Sequence, residues 1–411
     1  MASPSSQVSS SSDSPAKAEP SLLRRLNEEK VISVLRGEGA LTRAEIVRRT
    51  GLSHPTVSKI VGELFEASMV EEGELKQPDL GRPGKTVALA NRESRVFSLV
   101  IGAHRCSLIP SGLDGVLQQG EIEVFSTPNT YAGLLKKVTG ILKDRISNNS
   151  ARVLGLGICL PGLLDAENET VLLSPNLLWL EGKQVGLDLE KNLGFPAVLV
   201  PAMAAHYLFE SRHGGARGME DFVVVNYAGG LGIAACNGGR LVDGRGGLAG
   251  ELGHITVDAE GELCGCGNRG CLETIASDRA VLNAVSKRMG NSVTLSELIE
   301  RVRSGDREFD DIFEHAGRYL AIGLAAAVNI FNPQAIFIYG KFLAAQDGLF
   351  ERVVVWTDER SLKLSSAQCE IYQPARDPHE CQQIGAAAAI IEKLTQSVSN
   401  QRGVINEKGA A

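Results

Sequence analysis

Between Glu251 and Glu273 the chain carries one histidine and three cysteines, His254, Cys264, Cys266 and Cys271, with a carboxylate at each end. Four soft ligands in so short a stretch constrain folding, because one ion bound by all of them closes the segment on itself. Three thiolates and an imidazole make a complete tetrahedral set for a structural zinc. Gly265, Gly267 and Gly270 allow the backbone to turn tightly around it. Such a set does not need Glu251 and Glu273, and two carboxylates fixed beside a rigid site suit the gripping of hydroxyl groups. A disulfide is the rival reading. The Ser-rich N-terminus has no apolar signal segment, so the expectation is a cytoplasmic chain with thiols. Cys106, Cys159, Cys236, Cys369 and Cys381 lie mostly in apolar runs and read as small core residues.

With 411 residues, 43% hydrophobic and 22% charged, the chain has globular composition and room for two or three domains. No apolar run is long enough to predict a membrane span. The net charge of −7 argues against a general nucleic-acid binder. The charge is uneven, however: residues 21–95 carry +2 and the remainder −9. The pattern divides the chain into a Ser/Pro/Ala-rich tail over 1–20, expected to be disordered, a small module over 21–92, a body over 95–395 and a flexible tail over 396–411.

In the module, apolar spacing predicts a helix from Ser21 that Gly37 and Gly39 stop. Thr42 and Glu45 spell a capping box, and Ile46 and Val47 face inward on a short helix. Gly51 permits a turn. Ser53 caps a second helix with Pro55 in its first turn, and Val57, Ile60, Val61 and Leu64 share its buried face. This is a helix-turn-helix. His54, Thr56, Ser58 and Lys59 are placed to read a major groove, with Arg43 or Arg48 nearer phosphate. Met69-Val70 and Thr86–Leu89 predict a wing. Between them, Arg82 within Gly81-Arg82-Pro83 forms a compact arm suited to a narrow minor groove.

From Arg95 the texture becomes α/β. Apolar strands (Val96–Ile101, Val153–Cys159, Ala197–Val200, Phe222–Val225, Ala335–Tyr339) alternate with helices, the last of them over Phe313–Phe331 and Cys381–Leu394. Glycine junctions recur at Gly102, Gly162 and Ala228–Gly232.

These features together resemble the ROK family of sugar-responsive repressors and sugar kinases. The resemblance is carried by Leu160-Pro161-Gly162 with Ser174-Pro175-Asn176, the glycine-rich stretch through Gly250, Glu251-x-Gly-His254, and Cys264/Cys266/Cys271-Leu-Glu273. The helix-turn-helix and Gly81-Arg82-Pro83 resemble its repressor branch. The resemblance implies an actin/hexokinase-like body of two ribonuclease-H-like lobes, with zinc in the second. It implies zinc ligation by His254 with the three cysteines, and contact of Glu251, His254 and Glu273 with sugar hydroxyls. Asn176 would line the same cleft.

The kinase pattern breaks at three stations. Phosphoryl transfer needs a carboxylate base and phosphate loops. Where family kinases carry an Asn-Asp pair this chain has Pro201-Ala202. The first phosphate loop reads Gly102-Ala-His104-Arg105, and the second Ala228-Gly229-Gly230. His104 and Arg105 read as surface or lobe-packing residues, with the binding of an anion as the alternative. Ser68 stands where glycine usually ends the recognition helix, with little consequence expected. The sequence therefore points to a transcriptional regulator, a repressor in the first instance, with a catalytically inactive body. It would bind a palindromic operator as a homodimer or tetramer and sense a sugar or sugar phosphate. The alternatives are an active ROK sugar kinase fused to a DNA-binding domain, and a constitutive DNA binder without effector response.

Overall fold

A computed structural model describes residues 20–76, 84–165 and 168–400. Residues 1–19 of the tail expected over 1–20, Arg82 with its Gly81 and Pro83, and the C-terminal residues from 401 lie outside the described residues, while Pro20 opens the first helix. Contacts divide the chain into two compact units, one of residues up to Ala90 with those from Lys393, the other Asn91–Glu392.

The first unit runs α1 (Pro20–Glu38), β1 (Leu41–Thr42), α2 (Arg43–Thr50), α3 (His54–Glu66), β2 (Val70–Lys76) and β3 (Gly84–Leu89). Thr42 accepts from Glu45 N while the Glu45 side chain accepts from the Thr42 backbone, completing the capping box. Gly51 ends α2 at φ 69°, and Ser53 caps α3. Val57, Ile60, Val61 and Leu64 are buried as their spacing requires, with Val31, Ile32, Leu35 and Ile46. Val47, expected inward, is only half-buried. The wing strands pair antiparallel in a sheet of order β1-β3-β2, to which β1 adds an edge the sequence did not signal. Arg24 on α1 reaches Glu28 at 3.1 Å and Glu63 of α3 at 2.9 Å, and both glutamates are buried.

Ser68, after α3, adopts φ 59°. A side chain in the left-handed region is strained where glycine is not, which bears on the expectation of little consequence. Ser68→Gly should raise the stability of this unit by about 0.5–1 kcal/mol after the glycine's larger unfolded-state entropy is counted. Urea unfolding followed by helix dichroism checks it, and a destabilised variant contradicts it.

The second unit comprises β4 (Ser94–Ile101), β5 (Arg105–Ser111), β6 (Glu123–Ser126), α4 (Tyr131–Ser147), β7 (Arg152–Leu160), β8 (Leu163–Asp165), β9 (Thr170–Leu173), α5 (Val185–Leu193), β10 (Ala197–Pro201) and α6 (Ala202–Arg212). It continues through β11 (Phe222–Asn226), β12 (Gly232–Asn237), β13 (Arg240–Leu241), α7 (Glu273–Ala276), α8 (Asp278–Met289), α9 (Leu295–Arg303), α10 (Asp310–Phe331), β14 (Ala335–Tyr339), α11 (Leu349–Arg360), α12 (Lys363–Ser366), β15 (Glu370–Tyr372) and α13 (Pro378–Asn400). Two five-stranded sheets, β10-β7-β4-β5-β6 and β13-β12-β11-β14-β15, repeat one order: a three-strand antiparallel meander with two parallel strands beside its first strand. This is the doubled ribonuclease-H-like architecture expected. Each lobe has its own core, one centred on Leu99, Leu156 and Ile158, the other on Val223, Leu320 and Ile338.

Helix α13 runs to Asn400, past residue 396 where the tail was expected to begin, and its Ile390 and Ile391 are buried. Near its start it approaches backbone on two sides. A Cβ on Gly157 of β7 would lie 1.9 Å from the Ala386 carbonyl, and a Cβ on Gly385 would lie 1.9 Å from the Ala205 carbonyl of α6. Only glycine permits either approach.

Candidate functional site

The turn holding Glu251 and His254 is fixed to β12 by hydrogen bonds from Ile233 N to Gly250 O at 2.9 Å and from Gly253 N to Leu231 O at 3.0 Å. The following loop is closed by Val257 N to Gly270 O at 2.8 Å, Cys264 N to Asn268 O at 2.7 Å and Leu272 N to Ile255 O at 2.9 Å. Gly270 sits at φ 64°, where a Cβ would strike the Asp258 carbonyl.

This folding gathers one atom from each of His254, Cys264, Cys266 and Cys271, all within 4.8 Å of one another, so the cluster can hold a metal ion. The Cys266 and Cys271 sulfurs are 3.6 Å apart, and Cys264 Sγ is 3.7 Å from His254 Nδ1. Ligands around a tetrahedral zinc stand about 3.8 Å apart for two sulfurs and about 3.6 Å for sulfur and nitrogen. A disulfide would need a sulfur separation of about 2 Å. Burial pushes the Cys264 thiol up to about 12, while the Asn268 backbone N–H lowers that of exposed Cys266. Zinc takes cysteine as thiolate, so an ion held by this set would displace the thiol protons.

The two carboxylates lie against this ligand set. His254 turns Nδ1 to the cluster and Nε2 to Glu251, 3.6 Å away. A carboxylate on the outer nitrogen is the usual means of orienting a metal-bound imidazole. Glu273 accepts from Cys264 Sγ at 3.1 Å and lies 3.8 Å from Arg279. Glu251 remains half-exposed, and burial, only partly offset by His254, raises its carboxyl above the ordinary range. Asn176 is exposed beyond β9, and the ion pairs and hydrogen bonds joining Glu251, His254 and Glu273 do not extend to it. Its loop touches the Leu-Pro-Gly turn, where Ser174 Oγ donates to Pro161 O at 3.0 Å.

In the first unit, His54, Ser58 and Lys59 are exposed on α3, Arg48 is exposed on α2, and Thr56 is half-buried. The Thr56 hydroxyl lies 2.8 Å from the Ser53 cap hydroxyl, and Arg43 stands 3.9 Å from Glu72 of the wing. Arg24, which sequence reasoning passed over, braces α3 from below.

The ROK family profile matches residues 96–393. The chain belongs to the ROK family. Among curated relatives, the DNA-binding transcriptional dual regulator NagC of Escherichia coli K12 is 26% identical over 388 residues, 92% of this chain and 95% of that protein. The xylose repressor of Bacillus spizizenii is 26% identical over 78% of this chain and 83% of its own. Among solved structures, a ROK family transcriptional regulator homologous to the E. coli MLC protein superposes with TM-score 0.80 at 24% identity, covering 92% of this chain and 98% of that one. The ROK hexokinase of Thermus thermophilus gives 0.61 at 26% identity, covering 72% and 97%.

Of the three stations where the sequence departs from the kinase pattern, one is apolar and two have a backbone amide bonded within the chain. Ala202 is the first residue of α6. Gly102 N donates to Arg105 O at 3.0 Å, and Ala228 N donates to Asn226 Oδ1 at 3.2 Å. His104 and Arg105 are exposed, as expected. Cys369, expected in the core, is only half-buried because it precedes the three-residue edge strand β15. Among the described residues no helix is long and apolar enough to cross a membrane.

A buried polar group escaped the sequence reading. His206 of α6 is fully buried beside Tyr339, and its Nε2 faces Asn226 Nδ2 at 3.3 Å and Gln382 Nε2 at 3.4 Å. Asn226 Oδ1 is held by Ala228 N, so its amide nitrogen is the donor and His206 Nε2 accepts, which places the ring proton on Nδ1. Burial depresses the imidazole to about 4. The neutral ring therefore contributes stability that is fully present above about pH 6.5 and lost as pH falls toward 4. Buried Asp278, raised by burial to about 6, acts in the opposite sense, stabilising as pH falls through that value. Replacing His206 with glutamine should change the stability difference between pH 7 and pH 5 by about 2 kcal/mol in favour of acid. Denaturant melts at the two pH values test this, and parallel behaviour of variant and wild type would refute it.

Proposed function

We propose that the chain is a DNA-binding transcriptional regulator of carbohydrate metabolism, a repressor, whose sugar-kinase-like body has no phosphoryl-transfer activity and senses a sugar or sugar phosphate. The observation that carries this is the capped helix pair with its β-wing on the same chain as a ROK body. The near-complete coverage by NagC supports it. Ala202 supplies no proton acceptor where a kinase needs one, and the Gly102 and Ala228 amides already have partners within the chain.

His54, Ser58 and Lys59 read the major groove, with Thr56 held by the cap, Arg43 and Arg48 nearer phosphate, and Arg82 in the minor groove. His254, Cys264, Cys266 and Cys271 hold a structural zinc. Glu251 and Glu273, steadied by that centre, meet ligand hydroxyls, and Asn176 borders the same cleft. A two-fold homodimer, or a tetramer of two such pairs, reads a palindromic operator in the cytoplasm. The ligand acts through its unequal affinity for the DNA-competent and DNA-incompetent arrangements.

Selection of bound duplexes from a random library should return a two-fold symmetric motif whose affinity falls when the effector is added. Alanine at Ser58 or Lys59 should cost about 1–3 kcal/mol of operator binding at matched salt. Because both side chains are exposed, melting should be unchanged. A coupled ATP-consumption assay across a hexose panel should stay at background. Turnover would instead favour an active kinase fused to a DNA-binding module.

A further inference from the structure

Among the described residues Cys266 is the one exposed cysteine; Cys369 is half-buried and the other six are buried. The local fold puts it there. Gly267 N donates to Cys264 O at 3.0 Å and Cys264 N to Asn268 O at 2.7 Å, which closes a tight turn that carries Cys266. Isolated bridges pair Leu263 with Arg269 and Thr256 with Cys271, and Cys271 is fully buried. The Cys266 and Cys271 sulfurs stand 3.6 Å apart. Cys264, the third thiol, is engaged elsewhere, its sulfur 3.1 Å from Glu273 Oε1 and 3.7 Å from His254 Nδ1. The cluster thus holds one sulfur that solvent reaches, with a buried sulfur directly beside it.

An accessible thiolate with a second cysteine poised next to it is the arrangement that peroxides oxidise reversibly. We infer that Cys266 and Cys271 form a peroxide-sensitive pair whose oxidation to a disulfide releases the metal from the loop. This rests on the reading of the cluster as a zinc site. Cys266 Sγ attacks one oxygen of hydrogen peroxide: an S–O bond forms, the O–O bond breaks, and the departing hydroxide takes a proton from solvent to become water. Cys271 Sγ then attacks the Cys266 sulfur: the S–S bond forms, the S–O bond breaks, and a second hydroxide leaves and is protonated to water. Two thiolates lose two electrons, and the peroxide is reduced to two waters. The sulfurs must close from 3.6 Å to about 2 Å, and the exposed Cys266 side chain has room to turn that far. The disulfide leaves Cys264 and His254 as the remaining pair of ligands, too few for a structural zinc.

Graded hydrogen peroxide added to the full-length, zinc-loaded protein tests it. Released zinc is followed with a colorimetric chelator, and the remaining thiols are alkylated before tryptic digestion and fragmentation in a mass spectrometer. Arg269 stands between the two cysteines, so trypsin separates them unless a disulfide joins the peptides. Zinc should appear in step with the Cys266–Cys271 disulfide, one equivalent for each, while the buried Cys106, Cys159, Cys236 and Cys381 remain reduced. Dithiothreitol with added zinc should restore the starting protein. Cys369→Ser, at the half-buried thiol outside the cluster, should leave the course of release unchanged. Zinc that stays bound until the buried thiols are oxidised as well, or a disulfide that joins Cys264 instead, overturns the pair. Protein free of zinc before any treatment overturns the metal reading, and the disulfide map then upholds or overturns the pair by itself.

Discussion

Cys266→Ser is expected to strip the bound metal from the protein and to destabilise the body by several kcal/mol, with about 10 kcal/mol as the scale of binding free energy at four-ligand zinc sites. Cys266 is the informative ligand because its side chain is exposed, so serine leaves no cavity and any loss reports on the metal. Elemental analysis should show zinc near one equivalent in wild type and close to none in the variant. Operator affinity should fall with stability, because Glu251 loses the oriented His254 and Glu273 loses its fixed neighbour Cys264. Cys236→Ser, at a buried thiol outside the cluster, should retain the metal whatever its packing cost. A Cys266 variant that is free of zinc yet melts and binds DNA like wild type would remove the metal from any structural role.

Gly157→Ala should be among the most damaging single-methyl changes in the molecule, costing about 3–5 kcal/mol or preventing soluble expression. The added carbon would stand 1.9 Å from the Ala386 carbonyl. Neither strand nor helix can give way easily, since β7 is paired on both sides and α13 is also pressed against α6 at Gly385. Gly140 in α4 is the control. Nothing lies within 4 Å of a Cβ there, so alanine should stabilise by about 0.5–1 kcal/mol through helix propensity. Thermal melts of the two variants should move in opposite directions, and a tolerated Gly157→Ala would mean that the helix is free to shift.

What could be read from sequence was local. The Thr42–Glu45 box, the Ser53 cap and the inward face of α3 are encoded within a turn or two of chain, and all three were found as read. The cluster from Glu251 to Glu273 was legible for the same reason. Strands β5 and β12 were harder, because Cys106, Pro110 and the short Ala-Ala-Cys run dilute their apolar signal. The contacts of His206 with Asn226 and Gln382 span 20 and 176 residues, and no spacing rule reaches so far. Ser68 was noticed, but its left-handed backbone was not readable, since serine rarely adopts it.

Arg24 sets a rule for anyone who would re-address this protein to new DNA. The exposed side chains of α3 can be exchanged freely, because the inward residues that seat the helix are a separate set. The tilt of that helix, however, is held by one guanidinium shared between Glu28 on its own helix and Glu63 on the other. A graft of α3 into a foreign scaffold would carry Glu63 into an apolar seat without its cation, and a buried carboxylate left so is among the costliest errors a design can contain. The transplantable cassette is therefore α1 through α3, not the reading helix alone.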